Sequence, residues 1–145
     1  PFRGCAGAFV LVILPVLASC KDFSLRREAK LDIGGDTISL PAGVKIHDVL
    51  VRSVAAGELD PAAVQIRSND VVRFKTGDSR THILEFEEGS LPASAGQLFR
   101  TKSQLRSPPL LVVGATWIVS FEGMPAGRYT FRCISHGVSG SITVK

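Results

Sequence analysis

The feature that most constrains this chain is its last stretch, Tyr129-Thr-Phe-Arg-Cys133-Ile-Ser-His136-Gly-Val-Ser-Gly-Ser-Ile-Thr-Val-Lys145. Tyr129, Phe131 and Cys133 share one phase of a two-residue period, and Ile142 and Val144 share another. That alternation is the signature of strands with one buried face. Between the two strands a tight loop carries His136, three residues beyond the thiol of Cys133. A chain ending in this way must build a sheet that holds a cysteine at a strand exit and folds an imidazole back toward it.

The preceding residues supply such sheets. Thr37–Leu40 reads as a weak strand and Ile46–Val54 as a longer one. Ala63–Arg67 follows, then a turn at Ser68-Asn-Asp70. Val71-Val-Arg-Phe-Lys-Thr76 alternates cleanly and ends at the turn Gly77-Asp-Ser79. In Thr81-His-Ile-Leu-Glu-Phe-Glu87, Glu85 and Glu87 need water, so His82, Leu84 and Phe86 face inward. The segment Glu88 to Pro109 breaks the rhythm and holds a short helix or a long loop. Strands resume at Ala115–Glu122, with Trp117, Val119 and Phe121 on one face. Seven or eight short strands in this length, with no crossover helices, predict an all-β fold: a Greek-key antiparallel β-sandwich.

The N-terminus has a different character. Ala6–Ala18 is an unbroken apolar run after Arg3, too short to span a bilayer comfortably, which is the pattern of a signal-peptide core. The chain opens at Pro1 rather than a methionine, so its basic segment is expected to be shortened. Leu17-Ala-Ser-Cys20 resembles the bacterial lipobox, which implies cleavage before Cys20 and lipidation of its thiol. The alternative is an ordinary cleaved signal, or a membrane stub, with an incidental cysteine. The expected organisation is a lipoprotein signal peptide over 1–19, a lipidated tether over 20–35 and one domain over 36–145. The tether is polar and mixed in charge, with a thin apolar face should it form a short helix. Export to a periplasmic or other extracytoplasmic face of a bacterial membrane follows.

Cysteine usage sharpens this. Cys5 falls in the signal and Cys20 at the lipid, so Cys133 is the one thiol left to the domain. An exported domain with one thiol forms no internal disulfide, and metal ligation is a reason to keep it. Setting Arg3 aside leaves sixteen basic residues against thirteen acidic ones, too weak a bias for a nucleic-acid surface.

Strand phase and direction bring three residues together. Cys133 is the inward residue at one strand's exit and His82 the inward residue at another's entrance. In an antiparallel pair these lie at the same end, within reach of His136. Two imidazoles and a thiolate in a trigonal set match copper in an electron-transfer site. The competing reading takes Cys133 as a small buried hydrophobe and His136 as a loop residue. His47 reads as a surface or rim histidine, Trp117, Tyr129 and Phe131 as core, and Glu85, Glu87 and Glu88 as a solvated acidic face.

These residues resemble the cupredoxins, in particular the plastocyanin and amicyanin group. The resemblance rests on Val71-Val-Arg-Phe74 before a turn, Thr81-His82-Ile-Leu-Glu-Phe-Glu87, Gly127-Arg-Tyr-Thr-Phe-Arg-Cys133-Ile-Ser-His136 and the closing Gly140-Ser-Ile-Thr-Val144. It covers about Ile46 to Lys145. It implies a single type 1 copper ion held by His82, Cys133 and His136, and one-electron transfer through Cu(I) and Cu(II).

One element departs from the family. The axial methionine expected after the second histidine is missing, and registering the loop on Gly140 puts Val138 in its slot. Met124 is nine residues before Cys133, roughly 30 Å along a strand. The expectation is a three-ligand site with an apolar axial face and a raised reduction potential. A backbone carbonyl near residue 81 is a possible weak axial neighbour.

The resemblance further implies His136 as the electron port, with Gly137, Val138 and Leu91-Pro92 as an apolar docking rim. The expected partner is a redox protein such as a cytochrome or oxidase, the chain is expected to be monomeric, and no nucleic acid is expected. Three histidines and one loop cysteine are too few for a second copper centre, so no enzyme is expected. The alternatives are a lipid-anchored copper carrier or copper-holding protein, and a metal-free sandwich with an interaction role.

Overall fold

Alternation along each strand builds two sheets whose apolar faces meet. The computed structural model describes residues 30–33, 36–53 and 57–145. The stretch read as a signal peptide, with Cys5, and the expected lipidation site Cys20 lie outside the described residues. The elements in chain order are β1 Lys30–Ile33, β2 Asp36–Ser39, β3 Ile46–Arg52, β4 Glu58–Asp60, β5 Ala63–Ile66, β6 Val71–Thr76, β7 Leu84–Phe86, α1 Ala95–Thr101, β8 Thr116–Ser120, β9 Gly127–Cys133 and β10 Val138–Val144. One sheet has the order β4-β3-β6-β8 and the other β5-β10-β9-β7. The first gives Val49, Val51, Val72, Phe74, Trp117 and Val119 to the core; the second gives Val64, Ile66, Leu84, Phe86, Tyr129, Phe131, Cys133 and Ile142.

The expected sandwich is present, with ten strands where seven or eight were expected. The strands without an expected counterpart are β4, beside β3, and β1, which lies inside the stretch read as a tether and forms a hairpin with the expected strand β2. Two pairings are parallel, β3 with β6 and β5 with β10. A parallel pair needs a crossover out of the sheet, but that crossover need not be a helix. Here the chain passes from β3 and β4 through β5 in the opposite sheet before returning as β6 beside β3.

The irregular segment Glu88 to Pro109 contains α1, whose Ala95 and Phe99 are buried at helical spacing. Phe99 stacks on Phe86 at 4.5 Å and meets Tyr129 edge-on at 5.8 Å, so α1 closes the sandwich near the start of β9. The Tyr129 hydroxyl donates to the Pro125 carbonyl at 2.6 Å, and burial pushes the phenol pKa up to about 12. At Gly140 a Cβ would sit 2.6 Å from the Phe131 ring and 2.7 Å from the Ala62 carbonyl, so this position in β10 admits only glycine without rearrangement. Among the described residues no helix is long and apolar enough to cross a membrane.

Candidate metal centre

The centre is assembled where β9 ends. Antiparallel pairing sets Leu84 of β7 opposite Cys133, which brings the approach to β7 alongside the exit of β9. The chain then turns sharply: the amides of His136 and Gly137 both donate to the Cys133 carbonyl, at 3.3 and 2.8 Å. Gly137 adopts φ 69°, the left-handed conformation that glycine takes without a Cβ penalty. β10 starts at Val138, directly opposite Cys133. The short loop therefore returns the His136 ring over the sulfur.

His82 arrives differently from the sequence expectation. It lies before β7, not within a continuous strand, and is fixed by an isolated bridge to Leu110. Its amide donates to the Leu110 carbonyl at 3.0 Å, and the Leu110 amide donates back at 2.9 Å. The inward phase is nevertheless kept, because His82, Leu84 and Phe86 are all buried.

The three side chains converge. Cys133 Sγ lies 3.7 Å from His82 Nδ1 and 3.5 Å from His136 Nδ1. The ligand atoms of His82, Cys133 and His136 all lie within 4.8 Å of one another, the one such cluster among the described residues. A first-row ion about 2.0–2.3 Å from nitrogen and sulfur donors spaces adjacent donors roughly 3.5–3.8 Å apart. The residues present therefore fit a metal ion. His82 and Cys133 are fully buried and His136 is half-buried.

Asp78 is the functional residue that sequence reasoning missed. The His82 Nε2–H donates to Asp78 Oδ1 at 2.8 Å, which fixes the tautomer and leaves Nδ1 with a lone pair facing the thiol. Asp78 also accepts from the amides of Ser53 at 2.6 Å and Arg80 at 3.0 Å. The His82 hydrogen bond, followed by the Ser53 amide, holds its carboxyl well below the usual carboxylate range against an opposing effect of burial. The His136 pKa is lowered, first by burial and then by the charge of His82, with the Asp78 charge opposing and the Arg80 charge adding to the shift. The available signal was an Asp four residues before a buried His, with its carboxylate held in a turn.

The other named residues divide. Val138 lies beside the cluster, since a Cβ on Gly57 would meet His136 Cβ at 3.1 Å and Val138 Cγ1 at 3.2 Å. Leu91-Pro92 is not part of the rim. A Cβ on Gly127 would sit 2.6 Å from Pro92, at the end of β9 remote from Cys133. The apolar residues at the metal end are instead Leu110–Val113, tied to His82 by the bridge. His47 has a partner, Asp70 Oδ2 at 3.0 Å. The acidic face is partly paired, with Glu88 on Arg100 at 2.9 Å and Glu85 3.9 Å from Arg132.

No protein-family model and no curated protein matches the chain. Solved structures do. Oxidised plastocyanin from Dryopteris crassirhizoma is similar at 22% identity and TM-score 0.53, over 68% of this chain and 99% of that one. A purple cupredoxin from Nitrosopumilus maritimus gives 21% and 0.51 over the same shares. A mutant amicyanin in its Cu(I) form gives 18% and 0.50, over 68% of this chain and 82% of that one. The fold is that of a cupredoxin. Within it, the thiol and two imidazoles fit a blue-copper site that lacks the methionine.

Proposed function

We propose that this cupredoxin-fold chain binds one copper ion at His82, Cys133 and His136 and carries single electrons between redox proteins. The carrying observation is the convergence of one thiol and two Nδ1 atoms within 4.8 Å, a set of three where zinc in a structural site takes four donors. Bound copper would supply a one-electron Cu(I)/Cu(II) couple. The protein's part is to hold the donors still. Asp78 fixes His82, the turn on the Cys133 carbonyl fixes His136, and the buried sulfur is shielded from water. His136, half-buried, is the electron port. The role is that of a carrier, not an enzyme.

The deciding experiment adds Cu(II) to the purified full chain and records the visible spectrum beside Cys133→Ser. An intense thiolate charge-transfer band that the substitution abolishes is expected; no band in the wild type would refute the proposal.

Val138 takes the axial position. With no thioether donor there, Cu(II) is less stabilised and the potential is raised. Val138→Met is expected to lower the potential measured by voltammetry, and an unchanged or higher value argues against the axial assignment. The bare axial face also favours a second reading, a copper carrier that prefers Cu(I). Competition against Cu(I) and Cu(II) chelators separates the two, since a carrier retains Cu(I) and surrenders Cu(II). Lipidation at Cys20 would tether the domain to the periplasmic or other extracytoplasmic face of a bacterial membrane, and intact mass after membrane extraction would show the added acyl chains.

A further inference from the structure

We propose that Gly57 is a positioning residue of the metal centre. Lacking a Cβ, it lets the chain just before β4 lie directly on His136 and Val138 and hold the half-buried imidazole in place. The inference rests on the copper-binding reading and concerns how this chain's own backbone fixes one of the three donors.

The approach is close. A Cβ on Gly57 would lie 3.1 Å from His136 Cβ, 3.2 Å from Val138 Cγ1 and 3.3 Å from Val138 Cβ. Carbon atoms pack best at about 3.5–4.0 Å, so each of these contacts would be too short. Relief by a change of rotamer is limited. Two of the three atoms are Cβ atoms, which stay put when χ1 turns and move only with their backbone. That backbone is the turn whose His136 and Gly137 amides donate to the Cys133 carbonyl, and Val138 pairs directly with Cys133. A push at residue 57 therefore falls on the segment that sets the 3.5 Å separation of His136 Nδ1 from Cys133 Sγ.

The opposing side is anchored too. β4 begins at Glu58, which pairs with Arg52 at the end of β3. Ser53, the next residue, donates its amide to Asp78 Oδ2 at 2.6 Å, and the Gly77 amide donates to the Val51 carbonyl at 2.8 Å. The Arg52 stem packs so closely on Gly77 that a Cβ there would sit 2.7 Å from Arg52 Cγ. The end of the β3–β4 pair is thus fastened to the turn that carries Asp78, and Asp78 holds His82. One strand pair reaches both imidazoles, His82 through Asp78 and His136 through Gly57. The second contact matters more, because His82 and Cys133 are fully buried whereas His136 stands on a loop partly open to water. Gly57 also has φ 100°, where any Cβ is strained whatever the space. A second glycine separates strain from contact: Gly43 has φ 92° and nothing within 4 Å of its Cβ position.

The test compares Gly57→Ala with Gly43→Ala in the full chain. Both should lower the urea midpoint, since both force a Cβ into the left-handed region. With Cu(II), Gly57→Ala should displace the thiolate charge-transfer band and weaken copper binding about tenfold by chelator competition. Gly43→Ala should match the wild type in both. Without metal, NMR of the wild type should show nuclear Overhauser contacts from the Gly57 α-protons to the Val138 methyls. Gly57→Ala should then shift the His136 ring signals and leave those of His47 in place. Should Gly57→Ala not fold, Gly57→Ala with Val138→Ala is compared with Val138→Ala alone, and a smaller displacement of the band is expected because the Cγ1 contact is gone. A band and affinity equal to those of Gly43→Ala overturn the proposal, as does the absence of Gly57–Val138 contacts in the wild type. A wild type with no copper band ends the copper-binding reading, while the metal-free contacts and ring shifts still report on Gly57, so the two failures are distinguishable.

Discussion

Two histidine–aspartate pairs bracket strand β6, and they are mirror images in burial. His82 and Asp78 meet at 2.8 Å with the histidine side chain 0% exposed and the aspartate 28%. His47 and Asp70 meet at 3.0 Å with the histidine 25% exposed and the aspartate 4%. In each pair the buried member is the one being served. At the metal end the aspartate orients a ring whose other nitrogen faces a thiol. At the opposite end the histidine helps satisfy a buried carboxylate that also accepts from the amides of Lys45 and Arg67, each at 3.0 Å. One pair positions an imidazole of the candidate metal centre and the other fastens a turn. Distance alone would not tell them apart.

The sharpest way to break this comparison is to exchange each histidine. His82→Gln should abolish the copper charge-transfer band, whereas His47→Gln should leave its position and intensity unchanged. A band that survives the first change, or is lost with the second, would erase the distinction.

The aspartates should separate in copper affinity. Asp78→Asn keeps an oxygen for the His82 Nε2–H and removes the charge, so copper affinity by chelator competition should fall about 10- to 100-fold. Its denaturation midpoint should fall as well, since a carboxyl held well below its usual range contributes stability, so copper affinity is the readout that separates the two aspartates. Asp70→Asn should leave copper affinity alone and cost about 2 kcal/mol by urea unfolding, since a buried charged acceptor is lost.

Acid titration sharpens the second pair. Burial raises the Asp70 pKa, but the Arg67 and Lys45 amides and His47 outweigh it, so the folded value lies below the ordinary 3.8. A depressed carboxylate contributes stability that is fully present above the unfolded value and is lost as pH falls through the folded one. Urea midpoints should therefore drop below about pH 4 in the wild type, and less in Asp70→Asn. The smallest effect belongs to Tyr129→Phe, which removes the bond to Pro125 remote from the metal. It should cost about 1 kcal/mol and leave the band untouched.

The legibility of the site follows the range of each interaction. Cys133 and His136 could be read because both lie in one short turn. His82 could be read because alternation persists from Leu84 and Phe86 back to it, even though the ladder does not. Asp78 was hidden because its role depends on two distant partners, the His82 ring and the Ser53 amide, and a Gly-Asp-Ser sequence signals only a turn. The assignment of Leu91-Pro92 to the rim failed for a related reason. Apolar character does not say which end of a sandwich a loop visits, and stacking of Phe99 on Phe86 holds that segment at the other end. In the fold, strand phase gave the faces, while the parallel pairs depended on crossings between sheets that no local pattern records.

His82 hangs from a bridge to Leu110 and not from a ladder. A residue inside a ladder cannot shift without moving its neighbours' register, and a one-place slip turns every side chain to the other face. A residue on a single bridge is free of that constraint. Changes in length or sequence between α1 and β8 can re-aim this imidazole while β9 and β10 keep their pairing.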